Sequence, residues 1–334
     1  LDGGEHIFKP LPGCQFSVYE ETEGGQRQAY ALSTVPPQDG TLGSWDWYPA
    51  QTEQGTSTGT YHALYPRSWS LYERVFNCYL TCEQFSPIIP DNYQETSYPL
   101  AIFEWTAHNP TDEPITLSVL LTWENIAGWF TNTLKSPEVR VRDDGSPVYD
   151  YRSAWGNSEG NVNRWLEDFS RLGCLLNSGT MGQEAIAEGE GQFALATVTN
   201  PAVKVFYHSR WNPAGDGSEI WRSFAEDGSL ENWEDETPAG AGERIGAAIA
   251  VRFTVRPGKT RKIPFILAWD FPITEFAAGI TAYRRYTDFF GRNGQNSWSM
   301  IRTALKHSDM WKEAITDWQT PILEDESLPG WFKM

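Results

Sequence analysis

The chain of 334 residues has few of the residues that bind metals or cofactors. No two of its five histidines have the His-x-His or His-Glu-x-x-His spacing of a zinc site; they are His6, His62, His108, His208 and His307. The phosphate loop Gly-x-x-x-x-Gly-Lys-Ser/Thr and the dinucleotide fingerprint Gly-x-Gly-x-x-Gly are both missing. We therefore expect no metal site and no cofactor.

Cysteine is scarce as well, with four residues in the chain. Cys78 and Cys82 alternate onto one face of a strand-like run, and four residues at about 3.3 Å each separate their Cα atoms by about 13 Å. That separation is too long for a disulfide or a shared metal ion. Cys14 and Cys174 are isolated in the sequence. Four reduced, mostly buried thiols are typical of a cytoplasmic protein.

Long apolar runs are absent, and the mean hydropathy is −0.48. No run approaches the roughly 20 apolar residues that span a bilayer. Residues 1–9 show no basic region followed by an apolar one, as a secretory leader would. We expect no transmembrane segment and a cytoplasmic location, with peripheral contact to a membrane left open.

Basic residues are outnumbered: 26 Lys and Arg stand against 44 Asp and Glu, a formal net charge of −18. A surface this acidic repels phosphate backbones and anionic lipid. This excludes nucleic acid as a partner and argues against membrane binding through basic patches.

Aromatic residues are abundant, with 16 Trp, 14 Tyr and 17 Phe. Flat rings stack on sugar faces, so this composition suits a carbohydrate-handling protein. The same rings also fill the core of a β-sandwich, where each buries a large area and where strands select aromatics. Composition alone leaves both interpretations open.

Period-two alternation of apolar residues dominates the first 270 positions. Turn-forming Pro, Gly and Asn separate the alternating runs, which is typical of an antiparallel sandwich. The predicted inward-facing sets are Phe76/Cys78/Leu80/Cys82, Ala101/Phe103/Trp105/Ala107, Ile115/Leu117/Val119/Leu121/Trp123, Val203/Val205/Tyr207, Ile249/Val251/Phe253/Val255 and Ile263/Phe265/Leu267/Trp269.

Two long polar tracts, near 128–165 and 211–244, interrupt these strands, and loops of that length are usually functional or packed on something else. After Asp270 the pattern changes to helical spacing. It predicts one helix from Phe276 to Phe290 and a second over 297–319, which Thr320-Pro321 ends. The predicted fold is mainly β: a two-sheet antiparallel β-sandwich domain over 1–272, with C-terminal linking helices over 273–334.

Candidate catalytic motifs are weak. Gly-x-Ser-x-Gly occurs at 55–59 and 156–160, both times without the strand-then-helix context of a nucleophile elbow. Asp46 and Asp91 are the most suggestive single carboxylates, and spacing pairs neither with a second one. A turn-starting role is the simpler interpretation of Asp91.

Six phrases occur together in a fixed order. They are HALYPRSW at 62–69, SPIIPDNYQETS at 86–97, LAWDFP at 267–272, YRRYTDFFG at 283–291, WQTPIL at 318–323 and LPGW at 328–331. With these phrases the chain, over roughly residues 15–334, resembles the amino-terminal domain of the non-lysosomal glucosylceramidase or bile-acid β-glucosidase family, glycoside hydrolase family 116.

The resemblance implies a β-sandwich joined through helices to an (α/α)6 catalytic barrel that follows Met334. It places the Glu nucleophile and the Asp acid/base in that barrel, so no catalytic residue is assigned to this chain. The implied partners are the C-terminal catalytic domain and its β-glucoside or glucosylceramide substrate.

The second helix and the tail at 328–332 carry more apolar surface than one sandwich needs to bury. Trp311, Trp318 and Trp331 are therefore predicted to pack at the junction with the barrel. Two other functions remain open: a stand-alone carbohydrate-binding module with Trp-rich loops, and an enzyme with its own carboxylate pair.

Overall fold

The structure is a computed structural model, and its elements follow the chain from a strand at Gln15 to a long helix that ends at Glu324. It describes residues 11–129, 138–150, 158–179, 182–185, 187–276 and 280–330. In chain order, the strands of these ranges are β1 (Gln15–Thr22), β2 (Arg27–Ala31), β3 (Gly59–Leu64), β4 (Arg67–Tyr72), β5 (Tyr79–Phe85), β6 (Leu100–His108), β7 (Ile115–Glu124), β8 (Glu138–Val141), β9 (Pro147–Asp150), β10 (Val162–Asp168), β11 (Arg171–Asn177), β12 (Gln192–Val198), β13 (Val203–Trp211), β14 (Gly246–Val255), β15 (Thr260–Asp270), β16 (Ile273–Phe276) and β17 (Ile280–Tyr283). The helices are α1 (Ser218–Asp227), α2 (Thr287–Phe290) and α3 (Ser297–Glu324), with a 3₁₀ turn at Glu95–Ser97.

Two large antiparallel sheets form the predicted sandwich. The first has eight strands in the order β10-β11-β12-β15-β6-β5-β4-β3, and the second has five in the order β13-β14-β7-β1-β2. Two hairpins, β8–β9 and β16–β17, form separate two-stranded sheets.

The core between the sheets consists of the alternating residues that the sequence pattern selects. Phe76, Cys78, Leu80 and Cys82 are all buried in one apolar cluster together with Phe265. Members of the other five predicted sets lie in the same cluster or pack against it. The inward faces of these strands are therefore confirmed.

The outer face of the five-stranded sheet is covered by α1 and by the loop that carries Trp45. The Trp45 ring stacks on Trp221 of α1 at 5.1 Å and on Trp211 of β13 at 5.9 Å. Its indole Nε1 donates to the Gly217 carbonyl at 3.0 Å. The polar tract 211–244 thus holds a helix and packs on the sheet, which is one of the two alternatives expected for a loop of that length.

The outer face of the eight-stranded sheet is covered by α3. Trp298, Ile301, Trp311 and Ile315 are buried against it, and Leu305 and Trp318 pack beside them as partly buried residues. The predicted helix and its apolar side are confirmed. Its predicted end at Thr320-Pro321 is wrong, because the helix continues to Glu324 with Pro321 inside it. Proline removes one backbone hydrogen bond from a helix without always ending it, and Pro321 lies on the exposed side of this one.

The predicted helix from Phe276 to Phe290 is wrong. The segment begins at the last residue of β16 and continues through β17, which pairs with β16, to the short helix α2. Both strands are rich in β-branched and aromatic residues, Ile-Thr-Glu-Phe and Ile-Thr-Ala-Tyr, which favour extended backbone over helix. The apolar spacing suited a helix, but these local preferences and the strand pairing decided the structure.

Candidate functional site

Helix α3 and the sheet beneath it carry the predicted junction residues. The Trp311 side chain is completely buried, with its ring 6.2 Å from Tyr98 and 6.0 Å from His307. Trp318 is half-buried against the same cluster. Trp331 lies outside the described residues. Because Trp311 has no exposed surface, it can act at an interface only by holding α3 in place.

A network of charges joins α3 to the sheet. The Lys312 ammonium lies 3.0 Å from Glu83 of β5 and 2.8 Å from Glu104 of β6. Lys262 of β15 also binds Glu104, at 2.6 Å, and Arg67 of β4 donates to Glu83 at 2.8 Å. Burial tends to raise the pKa of Glu104, but the hydrogen bonds from Lys262 and Lys312 hold it below its usual value. The network fixes the position of α3 along the strands.

Replacing Lys312 by methionine should test this role, since methionine keeps the apolar stem and removes the charge. We expect the free energy of unfolding to fall by about 1–2 kcal/mol, because each carboxylate loses one charged hydrogen bond but keeps another partner. Urea titration would measure the change. Lys306→Met, on the exposed side of α3, is the matched control and should change stability by less than about 0.5 kcal/mol. Equal effects of the two substitutions would contradict the role.

An exposed apolar corner lies where α3 ends. Gln319 donates to the carbonyls of Leu64 and Tyr65 at 3.3 and 3.0 Å, which ties the last turns of the helix to the β3–β4 turn. Tyr65 is 69% exposed, and Ile322 and Leu323 in the next turn of α3 are each 39% exposed. We call Tyr65, Ile322 and Leu323 the corner patch. It is apolar surface that the sandwich itself does not bury.

The start of α3 is anchored by a buried carboxylate. Asp270, at the end of β15, accepts a hydrogen bond from the Tyr286 hydroxyl at 2.9 Å and one from the Asn296 backbone N–H at 2.6 Å. Ser297, the first residue of α3, donates to Gln192 of β12. Burial raises the pKa of Asp270 above its ordinary value. These bonds fix the segment between β17 and α3 on the end of the eight-stranded sheet.

Asparagine side chains connect the two sheets at the same end of the sandwich. Asn125 donates to Asn163 at 2.9 Å, and Asn161 donates to the Ala127 carbonyl at 2.8 Å. The Trp129 indole donates to Ser158 at 2.7 Å. Ser158, the serine of the second Gly-x-Ser-x-Gly stretch, is therefore a buried structural residue and not an exposed nucleophile.

The other candidate catalytic residues also have structural environments. Asp91 lies in a turn with a φ of 58°, in line with its predicted turn role, and Asp46 is exposed on the loop beside Trp45. Ser57, the serine of the first Gly-x-Ser-x-Gly stretch, donates to the Gly59 carbonyl at 2.8 Å.

All four cysteines are free. Burial raises the pKa of Cys14 to about 12, which opposes thiolate formation. Within the described ranges, no group of three or more His, Cys, Asp or Glu residues could hold a metal ion.

Comparison with known proteins identifies the family. Residues 1–311 match the family described as beta-glucosidase 2, glycosyl-hydrolase family 116 N-term. The chain belongs to this family. The matched region includes both sheets and the first half of α3, and its end falls inside that helix.

Solved structures show only distant likeness to this family member. Two structures of the heparan sulfate lyase HepC from Pedobacter heparinus, one of them of a mutant, each match with 6% identity and a TM-score of 0.29 over 73% of this chain. A GH36 α-galactosidase, AgaA, from Geobacillus stearothermophilus in complex with raffinose matches with 7% identity and a TM-score of 0.28 over 83% of this chain. The chain spans 30% of the length of each of these proteins. In the described part of this chain, no helix is long and apolar enough to cross a membrane.

Proposed function

We propose that this chain is the non-catalytic amino-terminal domain of a retaining β-glucosidase or glucosylceramidase. In this proposal residues 1–272 form the sandwich domain, and 273–334 form the linker to an (α/α)6 catalytic domain. The match over residues 1–311 to the amino-terminal part of a β-glucosidase family is the observation that carries the proposal. The proposed location is cytoplasmic, and the substrate class at the catalytic domain is β-glucosides such as glucosylceramide.

The linker would brace the barrel through α3. The helix is held by buried tryptophans on one side and by the Lys312 network near its middle, and these contacts would keep it fixed on the sheet. Its far end carries the corner patch, whose apolar side chains would be covered by the next domain. Trp318 would contribute at the edge of that contact, and Trp331 beyond it, while Trp311 would hold the helix in position.

Catalysis would then depend on groups outside this chain. Retaining hydrolysis needs two carboxyl groups about 5–5.5 Å apart, one a nucleophile and the other a proton donor. We expect residues 1–334 alone to release no phenolate from an aryl β-glucoside. The complete protein should release it and retain the anomeric configuration, which NMR of the first-formed product would show.

Two variants of the chain serve as controls for contamination. If residues 1–334 turned over substrate and Asp91→Asn or Asp46→Asn abolished that rate, the chain would have its own carboxylate pair and the proposal would fail. An activity that neither substitution reduces and that repeated purification removes would come from a contaminating glucosidase, whereas one that survives purification would contradict the proposal.

A further inference from the structure

Four strands lie at the edges of the two large sheets, namely β2, β13, β10 and β3. The edge of β2 is covered by the loop at 46–48, which exchanges backbone hydrogen bonds with Ala31 at 2.8 and 2.9 Å. The edge of β13 is covered by Trp233, whose N–H donates to the Tyr207 carbonyl at 3.2 Å and whose carbonyl accepts from Ser209 at 2.9 Å. Loops of the same chain therefore occupy both edges of the five-stranded sheet.

The two edges of the eight-stranded sheet differ from each other. β10 carries Arg164, Glu167 and Asp168, and charged side chains are one way in which proteins block an exposed edge. β3 has the sequence Gly-Thr-Tyr-His-Ala-Leu, without Lys, Arg, Asp, Glu or Pro, and it pairs with β4 without a register shift. Among the described residues, the hydrogen bonds that reach β3 from outside β4 come from the side chains of Ser57 and Gln319, at its first and last carbonyls. Between those two carbonyls the edge of β3 is an open ladder.

The ladder itself shows which backbone groups of β3 point outward. The Glu73 N–H donates to the Thr58 carbonyl at 2.7 Å, in register with the pairing of β3 and β4. Along an antiparallel ladder, hydrogen-bonded pairs alternate with pairs that are not hydrogen-bonded. The residues that direct their N–H and C=O away from β4 are therefore Gly59, Tyr61 and Ala63.

The segment that contains β3 carries no negative charge. No Asp or Glu occurs between Glu53 and Glu73, although the whole chain has a net charge of −18. Arg67, the only Lys or Arg between them, donates to Glu83 at 2.8 Å. Two copies of this acidic chain repel each other over most of their surfaces, and much less along this edge.

β3 is also exposed on both of its faces. The side chains from Thr60 to Ala63 are all exposed, and Tyr61 is 65% exposed. An edge that binds a foreign peptide selects it through pockets beside the strand, because the backbone ladder gives affinity without specificity. β3 presents a ladder and one aromatic ring, and an identical strand can match both.

We propose that β3 pairs antiparallel with β3 of a second copy of the chain, about a two-fold axis, so that the two eight-stranded sheets become continuous. One register lets all three outward residues exchange backbone hydrogen bonds. It sets Tyr61 opposite Tyr61 of the second copy, and Gly59 opposite Ala63. The two Tyr61 rings then form an aromatic cross-strand pair. Such a contact uses the same patch on both copies, so it closes as a dimer. The inference does not depend on the proposed function.

The first test is sedimentation velocity of the 334-residue chain. We expect a monomer–dimer equilibrium at concentrations of about 1–100 μM, because a contact of one strand pair is small and therefore weak. Hydrogen exchange gives a second readout at single residues. The amides of Tyr61 and Ala63 should exchange about tenfold or more slowly in the dimer than in dilute solution. The amide of His62, which faces β4, should be protected at both concentrations.

A charge swap at Tyr61 tests the predicted register. Tyr61→Lys and Tyr61→Glu each place two like charges opposite each other, and each should raise the dimer dissociation constant about tenfold or more. A mixture of the two variants places opposite charges there and should form heterodimers more tightly than either variant associates with itself. Both variants should fold, because the Tyr61 side chain is mostly exposed.

The matched control lies at the opposite edge of the same sheet. Phe169, in the β10–β11 turn, is 96% exposed with a φ of 55°. Asparagine tolerates this left-handed conformation, so Phe169→Asn should fold. It removes an exposed aromatic ring far from β3 and should leave dimerisation unchanged.

Three results would overturn the proposal. The first is a parent chain that stays monomeric over the whole concentration range. The second is equal self-association of the parent, Tyr61→Lys and Tyr61→Glu, which would assign the dimer to another surface such as the corner patch. The third is a complete protein that stays monomeric while residues 1–334 dimerise through β3, which would assign this edge to a domain that follows.

Discussion

Replacing Phe265 by alanine is expected to lower the free energy of unfolding by about 3–5 kcal/mol. Phe265 lies on β15, between β12 and β6, and has no exposed surface. Its ring meets Phe16 of the opposite sheet edge-to-face at 5.5 Å. The substitution would leave a cavity where the two sheets touch, and close-packed strands on both sides prevent its collapse. Denaturant titration at a fixed pH would measure the loss.

The matched control for Phe265 is an aromatic residue outside the core. Phe289 is 39% exposed on α2, and Phe289→Ala should cost much less than Phe265→Ala. A loss below about 1 kcal/mol for Phe265→Ala would mean that the site relaxes freely, contrary to the packing described for this core.

The sandwich could be predicted from sequence because its inward faces alternate strictly. The alternation does not show that the outward-facing side chains of the same strands are also buried. Leu100 and Ile102 of β6, on the face opposite Trp105, are completely or almost completely buried beneath α3. Over residues 100–103 this strand is apolar on both faces, so that stretch does not reveal which partner covers its outer side. The helix that covers it was visible only as a separate apolar stripe.

The helix α1 was not predicted because it lies in a tract whose composition is polar. Its ten residues bury only Ile220, Trp221 and Phe224. Glycines with positive φ flank it at both ends, and a Cβ at Gly228 would come within 2.7 Å of the Tyr19 ring. The close approach to the sheet, which glycine permits, is a tertiary requirement that local patterns do not contain.

The aromatic content could not be interpreted from composition because burial decides its role. Among the described tryptophans, only Trp233 has more than half of its surface exposed, at 53%. Most of the described rings fill the core between the sheets and the apolar layers beneath α1 and α3. The composition that suggested sugar binding is explained in large part by packing.

The contacts of the candidate site depend on residues far apart in sequence. Lys312 binds Glu83 and Glu104, which precede it by more than 200 residues, so no spacing rule could pair them. Trp311 was predicted at the domain junction because its apolar stripe was identified correctly. The stripe does not show which of its residues pack on this domain's own sheet and which are left for a partner domain. The domain-junction role of Trp311 stays a prediction.

Asp270 should be the most sensitive polar residue at the start of the linker. Replacing it by alanine is expected to lower the free energy of unfolding by about 2–5 kcal/mol, because two buried donors, the Tyr286 hydroxyl and the Asn296 N–H, lose their acceptor. Urea unfolding of the chain would measure this. Proteolysis at the segment before α3 should also become faster, since these bonds hold that segment on the sheet.

A double-mutant cycle with Tyr286→Phe would isolate the bond. Tyr286→Phe should itself destabilise the parent chain, but in the Asp270→Ala background it removes a hydroxyl that is already unpaired. The two losses should therefore be less than additive, with a coupling of about 1 kcal/mol or more. Additive losses would show that the Tyr286 hydroxyl does not depend on Asp270.

The pH dependence gives an independent measure of the buried carboxyl group. Burial raises the pKa of Asp270 in the folded chain above the value of about 3.9 for the unfolded chain. In the pH interval between these two pKa values, the folded chain binds the proton more tightly than the unfolded chain does. The contribution of Asp270 to stability is greatest below this interval and falls as the pH rises through it. Asp270→Asn does not titrate, so its penalty relative to the parent should be larger at pH 4 than at pH 7. A penalty that grows with pH would mean that the folded site prefers the ionised carboxylate, and that its two hydrogen bonds outweigh the cost of burying the charge.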